Sequence, residues 1–397
     1  MPSSKPYFVG LTRGAFLLAV GSLFADVSTE MLYPVLPIFL TQELGASPAL
    51  VGIIEGVAPA LQNVAQGISG WVSDRLRRHK GIALLGYSLA AFAKPIIGLS
   101  TSWLGVLVAR SLDRIGAGTR SAPRDALVAG SVDDADRGKA FGLEGFGDNL
   151  GAFLGPLLAI LLLDVFHAPL RWIFFLSFFP GVLAAFSVLS VPESPPREAS
   201  PKPRERDGRK LPGGYLRTLV AVGVFGLGNS STSFLILRTK ALGASLTTTI
   251  LVYAGFNLVA ALISYPVGWV SDRLGRKVLL LLSFLVFFVV YAGVGLTENA
   301  FVIAPLFVLY GLHQGTFRAI GKALVTDLVP AELHATGIGW YTTTVGLTGL
   351  VASVAGGELW TRVGPSATFL FGAGTALVGI LLAVVLIPGR RGFSSFT

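Results

Sequence analysis

The stretch GWVSDRL occupies residues 70–76, and the same seven letters return at residues 268–274, 198 positions further along a chain of 397. The repetition extends beyond the heptad. LGAS at 44–47 recurs at 242–245, again 198 positions on, while GT at 118–119 and ALV at 126–128 recur at 315–316 and 323–325, an offset of 197. Short matches arise by chance, but four in one order at nearly one offset indicate an internal duplication.

Apolar residues make up 52% of the chain and charged residues 13%, a balance that excludes an ordinary soluble domain and points to a membrane protein. Runs long enough to cross a bilayer, which takes roughly 20 residues, centre near residues 27, 60, 89, 114, 151, 180, 226, 258, 287, 311, 348 and 377. The first run lacks a short apolar core followed by a small-residue cleavage site and reads as a retained span. With no cysteine, disulfides, thiolate metal sites and iron–sulfur clusters are excluded. The net charge of +9 sits in short segments between apolar runs, which argues for membrane topology and against a nucleic-acid surface. Arg75, Arg77, Arg78, Lys80, Arg137, Lys139, Arg273, Arg276, Lys277, Arg390 and Arg391 mark connections expected on the cytoplasmic side, with both termini. The opposite loops carry few bases, chiefly Arg171, Arg238, Lys240 and Arg362. The one long hydrophilic stretch, PESPPREASPKPRERDGRKLPGG from Pro192 to Gly214, has the composition of a linker. The expected organisation is therefore a six-span bundle over 1–191, a cytoplasmic linker over 192–213 and a second six-span bundle over 214–397. Parallel six-span repeats are an architecture of secondary transporters, with a site near the midplane between the halves.

GWVSDRLRRHK at 70–80 and GWVSDRLGRK at 268–277 resemble the loop signature of the major facilitator superfamily, Gly-x-x-x-Asp-Arg-x-Gly-Arg-Arg/Lys. The first copy carries Arg77 where the pattern has Gly. RIGAG at 114–118 resembles that family's Arg-x-x-x-Gly element, with Ala117 at a position often held by Gln. Gly142, Gly151, Gly155 and Pro156 match the fifth-span spacing of its antiporter branches, where Ala159 replaces a final Gly. The resemblance implies an all-α integral membrane protein of twelve transmembrane helices in two pseudo-symmetric six-helix bundles, acting as a monomer on a small-molecule substrate. It further implies that Gly70, Asp74, Arg75 and Arg78, with Asp272, Arg273 and Arg276 in the second copy, form a cytoplasmic latch, for which Asp125 is a candidate partner. The alternative is a basic cluster that serves topology alone. Because the first copy has more positive charge, Asp74 is expected to matter more than Asp272.

Charges within spans are the most informative, since one at mid-bilayer costs about 2.5–3.5 kcal/mol on insertion scales. Asp26 and Glu30 share a face of span 1, Glu144 and Asp148 share a face of span 5 with Gly151 and Gly155, and Asn149 is adjacent. Glu55, Gln62 and Gln66 form a polar stripe on span 2. On span 4, Arg110, Asp113, Arg114, Arg120, Arg124 and Asp125 fall within an arc of roughly 140°. Arg114 is placed near mid-depth, whereas Arg120, Arg124 and Asp125 lie toward the cytoplasmic gate. The competing reading of this face is an ion-pair network that only fixes packing. In the second half Asn229, His313, Gln314 and Tyr341 offer uncharged contacts, His313 serving equally well as a packing residue. The sequon NSS at 229–231 lies inside a span and should be silent.

These features predict a secondary active exporter in a bacterial cytoplasmic membrane that works by alternating access, needs no cofactor and uses protons as its coupling ion. A carboxylate such as Asp26, facing a central water-accessible cavity, can take up a proton, and protonation removes the charge that holds a cationic or polar substrate. Alternatively the span 4 arginines bind an organic anion, a phosphorylated metabolite or a metal chelate. Enzyme classes lack support. GTFRAIGKA at 315–323 has the wrong spacing for a phosphate loop, and neither a His-Glu-x-x-His helix nor a Gly-x-Ser-x-Gly elbow is present. A non-transporting receptor on the same fold would be expected to have damaged loop motifs, yet both keep Asp and Arg.

Overall fold

The structure is a computed structural model that describes residues 10–133, 136–192, 211–330 and 333–387. Most of the proposed linker, both ends of the chain and the side chains of Asp74, Asp272 and Arg273 lie outside the described residues. Among the described residues the chain forms twelve helical rods and no strand. We number them α1 (Arg13–Leu32, continued by Leu36–Ile38 and Phe39–Glu43), α2 (Pro48–Leu76), α3 (His79–Leu99), α4 (Trp103–Gly130), α5 (Arg137–Ile160, extended by Leu161–Val165) and α6 (Leu170–Leu176 with Phe178–Leu189). The second set is α7 (Gly213–Gly226 with Ser233–Ala241), α8 (Leu246–Leu274), α9 (Arg276–Leu296), α10 (Ala300–Leu328), α11 (His334–Arg362) and α12 (Pro365–Leu386). Each predicted span centre falls within one rod.

Nine of the rods are long and apolar enough to cross a membrane by length and composition. The other three depart for local reasons. α4 is the charged helix, α11 is rich in Thr and Gly, and α7 is interrupted between Gly226 and Ser233, where Gly228, Asn229, Ser230 and Ser231 follow one another. Glycine weakens helix propensity, and Asn and Ser offer the backbone competing hydrogen bonds. Entry to several helices is fixed by side-chain caps. Thr12 accepts from the Ala15 N–H, Ser102 from Gly105, Ser245 from Thr248 and Asn299 from Phe301.

The duplication read from the sequence is present in the elements. α2 and α8 are both 29 residues and begin at 48 and 246, while α3 and α9 are both 21 residues and begin at 79 and 276. The chain divides into two compact units, one of residues 1–39 and 61–205, the other of residues 40–60 and 206–397. The first half of α2 thus packs with the second repeat. A Cβ on Gly52 would lie 3.1 Å from the Ser353 carbonyl carbon and 3.2 Å from the Gly357 Cα. In the first unit α1 packs on α5 and α6, and α3 on α4 and α6; in the second, α7 packs on α11 and α12, and α9 on α10 and α12.

Basic residues tie helix ends together in the same way in both repeats. Lys80 Nζ donates to the Val191 carbonyl at 2.7 Å, just past α6, and Lys277 Nζ donates to Val384 and Ile387 at 2.8 and 2.7 Å at the end of α12. At the other ends of α3 and α9, Arg171 donates to the Gly98 and Ser100 carbonyls at 2.9 Å and Arg238 to Thr297 at 2.8 Å. Cations at helix C-termini satisfy orphan carbonyls and complement the helix dipole.

The departure from the loop signature has a conformational meaning. Gly275 of the second copy has φ 93° and Arg77 of the first has φ 53°, so both loops need the left-handed region that glycine enters freely. A side chain there costs roughly 1–2 kcal/mol. Arg77→Gly is expected to raise the thermal midpoint in detergent, by about 1 kcal/mol in free energy, whereas Gly275→Ala should lower it. A destabilised Arg77→Gly protein would show that the guanidinium contributes more than the strain costs.

Candidate functional site

Two ionic clusters run along α4 within the first unit. Asp113, fully buried, is the centre of one. Its Oδ2 accepts from Arg110 Nη1 at 2.9 Å, Arg114 Nε at 2.9 Å and Arg114 Nη2 at 2.7 Å, and its Oδ1 lies 3.3 Å from Lys94 Nζ on α3. Burying one charge in a low-dielectric interior is tolerable only with close partners. Arg110 and Arg114 lie one helical turn and one residue from Asp113, so local spacing supplies two of them. The third, Lys94, comes from a neighbouring helix brought close by glycine. A Cβ on Gly86 would lie 2.7 Å from the Gly116 carbonyl oxygen, and one on Gly116 would lie 2.6 Å from the Ala90 nitrogen. Arg114 is the partly open member, its side chain 12% exposed.

The second cluster joins α4 to α1 and α5. Arg124 Nη1 pairs with Glu144 Oε1 at 2.7 Å and lies 3.7 Å from Asp148 Oδ1, while its Nη2 reaches Asp125 Oδ1 at 3.1 Å. Ser22 donates to Glu144 at 2.9 Å and accepts from Arg124 at 3.1 Å. Arg120 Nη2 lies 3.7 Å from Asp26 Oδ1, and Glu30 is part-buried on the same helix. The fifth-span glycines make this meeting possible. A Cβ at Gly151 would fall 2.5 Å from the Leu23 carbonyl and one at Gly155 would fall 2.9 Å from that of Val27, so α1 and α5 touch backbone to backbone. Pro156 is buried beside them, Gly142 is exposed, and Asn149 is exposed about 100° round α5 from Asp148.

The second unit is built differently. His313 is fully buried, with its ring centroid 5.0–5.5 Å from those of Phe225, Phe287, Tyr310 and Phe317, and its Nδ1 within hydrogen-bonding distance of Ser283 Oγ at 2.9 Å. That environment makes it a packing histidine of an aromatic core. At the break in α7, Tyr310 donates to Asn229 Oδ1 at 3.0 Å, and Ser231 donates to Glu55 Oε2 at 3.2 Å. Glu55, Gln62 and Gln66 share a face of α2 but not an environment. Glu55 is buried at the α7 break, Gln62 is part-buried and Gln66 is exposed. Tyr341 is buried, 6.4 Å from Phe317 between ring centroids, and Gln314 is part-buried.

Of the latch residues, Gly70 faces Ala122, Arg75 lies over the Trp71 ring at 5.3 Å, and Arg78 is exposed. Asp125 is held by Arg124 on its own helix, and Arg276 pairs with Asp327. Arg120 and Arg124, expected at a gate, join the carboxylates of α1 and α5. Lys94, Ser22 and Tyr87 were missed from sequence, although a lone lysine in the apolar run LAAFAKPIIGL at 89–99 was a usable signal.

Twelve helices in duplicated sets of six, with the buried ion pairs among the described residues lying in the first bundle, have the architecture of a membrane carrier. The family model of the Major Facilitator Superfamily matches residues 18–225 and 218–396, and the chain belongs to that superfamily. It is 32% identical over 95% of both chains to an uncharacterized MFS-type transporter of Methanocaldococcus jannaschii. It is 28% identical to a probable 4-methylmuconolactone transporter of Cupriavidus pinatubonensis, covering 89% of this chain and 85% of the relative. Among solved structures the nucleoside transporter NupG superposes with TM-score 0.80 at 13% identity, over 94% of this chain and all of the other, a likeness of fold alone.

Asp113→Asn is expected to destabilise the protein by roughly 3–5 kcal/mol, because it leaves the cations around it without their shared carboxylate. Adding Lys94→Met in that background should recover part of the loss. Thermal unfolding of the two single variants and the double variant measures this, and strictly additive losses would refute the coupling.

Proposed function

We propose that this multi-pass membrane transporter is a proton-coupled secondary active carrier of small organic molecules, working by alternating access in a bacterial cytoplasmic membrane with both termini inside. One observation carries the coupling: four carboxylates, Asp26, Asp125, Glu144 and Asp148, share two guanidinium groups, Arg120 and Arg124. A proton added to that set relieves repulsion among the acids and frees an arginine, which links protonation to helix packing. Export of an amphipathic drug or metabolite is the direction supported by Gly151 and Gly155, the antiporter-type glycines, which seat α5 on α1 beside those acids.

A specific observation favours a second substrate reading, an organic anion. Lys94 adds a third base to Asp113, and Arg114, which uses Nε and Nη2 on that carboxylate, keeps part of its surface accessible. The relative named for 4-methylmuconolactone is consistent with such a cargo.

In proteoliposomes, an imposed pH gradient is expected to drive flux of one of two probe sets, lipophilic cations or organic carboxylates. Glu144→Gln and Asp26→Asn should abolish the gradient-driven component when flux is normalised to the folded fraction of each variant. Flux indifferent to the gradient in the unaltered protein would reject proton coupling, and full flux in both variants would reject these acids as its carriers.

A further inference from the structure

The first unit contains a small, partly open cavity bordered by α1, α3, α4 and α6 that neither ionic cluster fills. Its walls are mostly methyl groups and backbone, from Ala25, Ala90, Ala91, Ala117, Gly181 and Ala184, with Thr29 at one edge. The polar lining is of one kind. Tyr87, Lys94 and Arg120 all border the space, and each is at least nine-tenths buried. Tyr87 Oη and Arg120 Nη1 make no hydrogen bond to protein. Buried donors without a partner are uncommon and cost about 1–3 kcal/mol each. The arginine stands 4.6 Å over the tyrosine ring, which fixes both groups at the same wall.

The two cations are also held loosely by their carboxylates. Arg120 is 3.7 Å from Asp26, beyond hydrogen-bonding distance, and Lys94 is 3.3 Å from Asp113. We propose that this cavity binds a single halide ion, chloride under ordinary conditions, between Tyr87, Lys94 and Arg120. The void is about 10 Å³, at the lower limit for one water molecule, so a monatomic ion there would sit in close contact with its donors. Chemistry separates the two. A water can donate to the hydroxyls of Thr29 and Tyr87, but it adds no negative charge to a lining that carries two cations. A halide accepts from the unpartnered Tyr87 and Arg120 donors, with the Lys94 ammonium on the same lining, and needs no acceptor of its own. It also places negative charge between two cations in a low-dielectric interior, where such an interaction is strongest. The ion would join α3 to α4, and because it shares Arg120 with the carboxylate set of the proposed coupling, its test reads stability and density and not flux.

The test uses the full chain in detergent, with sodium gluconate replaced stepwise by sodium chloride or bromide at constant ionic strength. The thermal midpoint is expected to rise and saturate with halide, as for any ligand that binds the folded state. Tyr87→Phe keeps the ring and removes one donor, so the halide concentration at half-effect should increase several-fold. Should that variant fold poorly, crystals of the unaltered protein soaked in bromide decide the matter, with an anomalous peak expected between Tyr87, Lys94 and Arg120. A midpoint indifferent to halide, an unchanged half-effect concentration in Tyr87→Phe, or bromide crystals without a peak in this cavity would each overturn the proposal.

Discussion

Hydrocarbon does not solvate charge, and that single constraint organises the first bundle. α4 carries Arg110, Asp113, Arg114, Arg120, Arg124 and Asp125, and each of these groups has to be met by protein or by water that protein admits. The neighbouring helices are shaped by that demand. α3 supplies Lys94 and comes close through Gly86 and Gly116; α5 supplies Glu144 and Asp148 and comes close through Gly151 and Gly155. Small residues at these contacts have a purpose beyond dense packing, because they bring charged partners within reach.

The second bundle repeats the helices, but among its described residues the interior is aromatic. Phe225, Phe284, Phe287, Tyr291, Tyr310 and His313 stack through its interior, with Phe225 and Phe284 3.8 Å apart and nearly parallel. An aromatic core is held by area and dispersion, which fall off gradually when helices shift, whereas buried ion pairs have discrete partners. Among the described residues, discrete charge pairs thus hold the first bundle and aromatic contacts the second.

Much of this was legible in the sequence, and for identifiable reasons. Twelve apolar runs and a repeated heptad placed the helices correctly because hydropathy and duplication are properties of long stretches. The face of α4 was recovered because charges in apolar sequence have few explanations. Partners were harder. Periodicity says which way Glu55 points from α2 but not that it meets the α7 break, and the break itself is hidden in an average dominated by flanking Leu, Val and Phe. His313 was ambiguous because one residue cannot reveal the aromatic rings that other helices bring to it. Lys94 escaped notice because it has no charged neighbour within its own span. Arg77 was visible as an exception, but only the backbone angle explains why the position favours glycine.

The contrast between the bundles also bears on how such a sequence can drift over generations. An aromatic ring in the second bundle can be exchanged for another large apolar group one position at a time, each step tolerable by itself. The set Lys94, Arg110, Asp113 and Arg114 has less freedom, since losing Asp113 leaves three buried cations without their shared carboxylate. Their histories are bound together. Change at these four positions must arrive in concert or through an intermediate that folds poorly, so substitution there should be rare, and correlated when it occurs.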